Sequence, residues 1–103
     1  MTRATKAKPS KTAYQLVDGK AVWQLHATHG FPLEMSIPML ADRHHIPTWE
    51  ALFLAAYHDG VRPAAMVNRL REILSDAYPK RMAARMQESL QQMPEYLWRK
   101  HGI

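Results

Sequence analysis

Prolines and glycines cut this chain into short pieces, and between the cuts the apolar residues keep a helical spacing. His29-Gly30, Phe31-Pro32, Ile46-Pro47, Asp59-Gly60, Pro63, Tyr78-Pro79 and Pro94 are the breaks. Proline cannot continue a helix from its interior, and glycine accepts the left-handed conformation that ends one. The clearest stripe is Met66, Val67, Leu70, Ile73, Leu74 and Ala77, a 3.6-residue period. No run alternates cleanly between apolar and polar residues, so no strand is expected. The fold class is therefore all-α, a compact bundle of five or six short helices.

The punctuation assigns the pieces. A first helix is expected over about Lys20–Thr28, with Val22, Trp23 and Leu25 facing the core and Gly30 as its left-handed cap. Ser36 is expected to cap a second helix, with Pro38 in its first turn and His44-His45 at its end. Ile37, Leu40 and Ala41 give its inner face. Thr48 is expected to cap a third helix, Trp49 to His58. Pro63 opens a fourth, running to about Ala77. A fifth covers about Lys80–Gln92, with Met82, Met86 and Leu90 inward, and Pro94 starts a last short helix.

At 103 residues the chain is one small domain's worth. It is too short for a doubly wound dehydrogenase or a barrel of eight strands and helices. The absence of cysteine excludes disulfides, thiol catalysis and thiolate metal sites. The apolar runs, such as Ala51 to Ala56, are too short to span a bilayer. No apolar stretch follows the basic first residues, so a secretory signal is not expected and the cytoplasm is the default location.

Charge is unevenly placed. Residues 1–12 carry Arg3, Lys6, Lys8 and Lys11 with no acid, and are read as a disordered basic arm preceding a single helical domain over 13–103. Residues 13–60 are net acidic: Lys20 and Arg43 face Asp18, Glu34, Asp42, Glu50 and Asp59. Residues 61–86 are basic again, with Arg62, Arg69, Arg71, Lys80, Arg81 and Arg85 against Glu72 and Asp76. A formal charge of +5 split this way suits a polyanion such as nucleic acid; it also suits a merely solvated helical surface.

The segment Gly19 to Thr48 resembles a segment of alanyl-tRNA synthetases. There the pattern is G-x-x-x-(aromatic)-x-L-Y-D-T-(Y/H)-G-(F/I)-P-(L/V)-(D/E)-(L/M)-(T/S). Gly19, Trp23, Leu25 and the contiguous run Thr28-His29-Gly30-Phe31-Pro32-Leu33-Glu34-Met35-Ser36 fit it. The Tyr-Asp of the pattern is His26-Ala27 here, so no contact made by that aspartate carries over. The synthetase catalytic motifs and the zinc-holding histidine pattern of the editing domain are absent. The resemblance implies a helical, tRNA-side module without aminoacylation chemistry. The same residues also read as a helix end, a glycine cap and a hydrophobic corner, with Thr28 and His29 as local hydrogen-bond partners.

A helix-turn-helix is the rival reading of overlapping residues. Ala41, Ile46, Ala51 and Leu54 have the apolar spacing of that motif, and Thr48, Trp49 and Glu50 would face a DNA groove. That set lacks the arginine, asparagine or glutamine that read base edges bidentately. Met82, Met86, Leu90 and Met93, with Met66 upstream, recur at helical spacing and read first as core packing; a third reading makes them the methionine and aromatic surface of a protein-interaction module, an adaptor, inhibitor or homodimer. His26 and His29 could share a helix face as metal ligands do, yet no carboxylate stands four residues from either. No phosphate loop, nucleophile elbow or paired-carboxylate pattern is present. The expectation is a non-enzymatic protein without cofactor or metal that associates with nucleic acid, structured RNA first. Lys6, Lys8, Lys11, Arg69, Arg81 and Arg85 would contact phosphate.

Overall fold

In the computed structural model, which describes residues 13–103, these proline and glycine breaks fall between elements or at their ends. The order is β1 (Gln15–Val17), α1 (Gly19–His29), α2 (Leu33–Asp42), β2 (His45–Pro47), α3 (Trp49–His58), α4 (Pro63–Ala77), α5 (Lys80–Gln91) and α6 (Met93–His101). The fold is helical, as the periodicity requires. The basic arm, 1–12, lies outside the described residues.

One addition was not expected. β1 and β2 form a two-stranded parallel sheet, with Gln15 opposite His45, Leu16 opposite Ile46 and Val17 opposite Pro47. Three residues are too few to show alternation. A parallel pair also has no hairpin turn to announce it; its crossover here contains α1 and α2. The ladder continues into the flanking residues, where Gln15 N–H donates to His44 O at 2.9 Å and Thr48 N–H to Val17 O at 2.8 Å. On the opposite edge of β2, the buried Tyr78 hydroxyl donates to His45 O at 2.7 Å. Burial pushes that phenol well above the usual tyrosine range. Tyr14 stacks on His44 with ring centroids 4.6 Å apart, and His44 holds a left-handed φ of 59° at the turn into β2.

The α1 helix starts where two oxygens meet its free N–H groups. The Asp18 carboxylate accepts from Lys20 N–H at 3.0 Å, and the Thr48 hydroxyl accepts from Gly19 N–H at 2.9 Å. Thr48 stands at the cap position of α3, as expected, but its hydroxyl serves α1 instead. Gly19 therefore lies against α3. A Cβ there would collide with Thr48 O and come within 2.7 Å of Leu52 N, so only glycine fits this crossing. At the other end Gly30 has a φ of 68° and caps the helix as expected, its N–H bonded to His26 O.

The expected start of α2 at Ser36 is wrong by one turn. Leu33, Ile37 and Ala41 recur every fourth residue and are all buried, and this stripe carries the helix back to Pro32, which holds the cap position. Pro38 consequently sits inside the helix, where it can offer no N–H to Glu34 O one turn back.

One contiguous core joins the elements. Val22 and Trp23 of α1 pack with Leu52, Phe53 and Ala56 of α3. Leu33 and Ile37 carry α2 onto α4, whose Met66, Leu70 and Leu74 are fully buried at the centre. Ala83, Met86 and Leu90 seat α5 beside α4, and Leu97 anchors α6 against both. Leu25, expected inside, is 41% exposed, at the edge of a cavity between α1 and α2.

Candidate nucleic-acid interface

Arg81 and Arg85 stand one turn apart on α5, both exposed, with no acidic group within ion-pair distance among the described residues. Together with Met82 and Ala84 they line a shallow depression of about 540 Å³. Their helix starts as α4 does, with neither a capping side chain nor an acid in its first turn, and Pro79 holds the cap position. The N–H groups of Lys80, Arg81 and Met82 thus lack intrahelical acceptors. A helix N-terminus carries about half a positive charge, and Lys80 and Arg81 add cations to it where acids would normally be favoured. Arg81 and Arg85 also repel one another across the turn. An anion would relieve all three conditions at once. Lys80 belongs to this group and was not singled out in the sequence; the lack of an acid or capping side chain between Tyr78 and Met82 was the available signal.

Arg69 is not part of that group. It is half-buried, with Nη2 3.6 Å from Glu34 Oε1, in a groove between α2 and α4 shared with Glu72 and Asp76. The pairing of Gln87 with Arg71 O and Ser75 Oγ shows α4 and α5 lying side by side, with Arg69 turned towards α2 instead. Its surroundings are acidic. Lys6, Lys8 and Lys11 fall outside the described residues.

The helix-turn-helix reading finds its residues occupied. The Thr48 hydroxyl is bonded to Gly19 N–H. The Glu50 carboxylate accepts from Tyr96 Oη at 2.9 Å, Lys100 Nζ at 3.1 Å and His101 Nε2 at 2.7 Å, tying α3 to α6. The His101 hydrogen bond above all, with those of Lys100 and Tyr96, holds Glu50 down at about 2. The bond to Tyr96 and the neighbouring Glu50 raise Lys100 above the usual lysine range. Moreover α2 packs mainly on α4 while α3 packs mainly on α1, so the two helices of the supposed motif have different principal neighbours.

In the synthetase-like segment, His26 rather than His29 or Thr28 makes the local bond. His26 Nδ1 lies 3.2 Å from Phe31 O, and its ring leans on Trp23 at 4.8 Å. Thr28 and His29 are exposed and share an open face of α1 with Gln24. No group of three histidines or acids among the described residues is arranged to hold a metal ion. No helix among them is long and apolar enough to cross a membrane. No family model, curated protein or solved structure matches the chain.

Proposed function

We propose that this chain is a small, non-enzymatic protein that associates with nucleic acid through phosphate contacts, structured RNA being favoured over duplex DNA. The observation that carries the reading is the start of α5, where Lys80, Arg81 and Arg85 gather without acidic partners among the described residues, on a helix terminus with no side-chain cap. Phosphate is the common anion that a fork of guanidinium donors and free backbone N–H groups accept together. The exposed Gln24, Thr28 and His29 of the synthetase-like segment offer polar contacts of the kind that ribose hydroxyls accept, which supports RNA. Occupied Thr48 and Glu50 weigh against the DNA-binding alternative. A cytoplasmic location accords with this role and belongs to the same proposal.

Fluorescence anisotropy with labelled tRNA and with a DNA duplex of mixed sequence tests it. At roughly 50 mM salt, where attraction to phosphate is strong, binding should be measurable and tighter for tRNA. The paired change Arg81→Ala and Arg85→Ala should weaken binding to every sequence about equally, since phosphate contacts carry no base identity. Absence of binding to either polymer at that salt would sink the reading.

A further inference from the structure

A cavity of about 120 Å³ opens between α1 and α2, walled by Val22, Leu25, Phe31, Met39 and Leu40. An apolar space near 150 Å³ holds a benzene ring, so this one suits a single small ring or branched chain. Its two polar members are Ser36 and Arg43. Ser36 is 5% exposed, and its Oγ, closed to water, has no hydrogen-bond partner. Arg43 is exposed, with no carboxylate in ion-pair reach among the described residues. Ser36 lies within α2 and Arg43 at its C-terminal cap, and both line the cavity.

Three features of this place define what it can hold. A buried hydroxyl without a partner costs stability. Leu25 and Met39 leave 41% and 44% of their surface in water at the rim. The Arg43 charge lacks a counter-ion. One kind of ligand engages all three, and we propose that the cavity binds a small carboxylic acid with a compact apolar body. The carboxylate pairs with the Arg43 guanidinium, the best-matched planar partner it has. The apolar body lies between Leu25, Phe31 and Met39, where the unbranched thioether can swing aside cheaply. A hydroxyl at the far end of the ligand reaches Ser36 Oγ once the cavity lining gives way, since that oxygen has no water-accessible surface in the free protein. The site is independent of the phosphate-contact reading, because Arg81 and Arg85 are on α5.

Phenylacetate, 4-hydroxyphenylacetate and 2-phenylethanol are the probes, titrated into the full chain with methyl groups isotopically labelled for NMR. The methyl signals of Val22, Leu25, Met39 and Leu40 should move along one saturable curve. Phenylacetate should bind about tenfold more tightly than the neutral alcohol, the gain from one charge-assisted contact. Arg43→Gln should erase that difference while leaving the alcohol unaffected. Ser36→Ala should raise the melting temperature of the free protein and abolish any advantage of the 4-hydroxyl. Equal binding of acid and alcohol, shifts scattered away from α1 and α2, or no shifts at millimolar probe would each overturn the proposal.

Discussion

Gly19 and Gly30 bound the same helix, yet each tolerates a methyl group differently. At Gly30 a Cβ would meet nothing within 4 Å, so Gly30→Ala is charged only for the left-handed backbone, about 1 kcal/mol. At Gly19 the methyl would strike the backbone of α3, and the two helices must part. Gly19→Ala should therefore cost about 3 kcal/mol or more. Urea melts of both variants check the order, and an equal loss would show that α1 can slide away from α3. Tyr78→Phe removes the donor to His45 O from a buried place and should cost about 1–2 kcal/mol by the same measurement. The Gly30 cap was legible in the sequence because a helix-ending glycine needs only its immediate neighbours to act. The role of Gly19 was not, since its partner, Thr48, is remote in the chain. Arg81 and Arg85 were legible as a pair from their spacing on α5. Arg69 looked equivalent, because nothing local announces that Glu34 comes to lie beside it.

Among the elements, α6 owes its seat to Leu97 within and to Glu50 without. Glu50 is held near 2, below its ordinary 4.5, so it prefers the folded protein when ionised. Its contribution is complete above about 4.5 and is lost as pH falls towards 2. Melting temperatures of the parent protein and Glu50→Gln should differ at pH 6 and converge by about pH 2.5. A gap that ignores pH would mean that the carboxylate charge contributes nothing to docking α6. The helices themselves were readable where the apolar stripe was long, as in α4, whose ends at Pro63 and Ala77 follow from the sequence. The start of α2 was misread because Ser36 and Pro38 imitate a helix entrance, while the deeper stripe of Leu33 and Ile37 overrides them. The strands left no periodic trace, whereas the helical spacing of Met66, Met82, Met86 and Met93 was legible first as core packing, and all four pack in or against the core. Among the described residues, the exposed methionines are Met35 and Met39 on α2.

For the whole molecule, the net charge of +5 matters through its placement. Plotted as logarithms, nucleic-acid affinity against salt should be linear, and each phosphate contact contributes about 0.7–0.9 to the slope. Losing Arg81 and Arg85 together should flatten it by about 1.5, whereas Arg69→Ala, which removes a partner of Glu34, should leave it almost unchanged. An equal effect of all three would mean that the acidic groove between α2 and α4 opens to the polymer. The parallel sheet has a different consequence, one of timing. Helical turns close between near neighbours in sequence, but Gln15 cannot find His45 until α1 and α2 have folded back between them. The strand pair should form after the folding transition state. Leu16→Gly, at an exposed position in mid-strand, should therefore speed unfolding and leave the refolding rate nearly constant. A chain growing from its N-terminus makes Gln15–Val17 early and has to keep that edge unpaired until β2 has emerged and the helices of the crossover have closed.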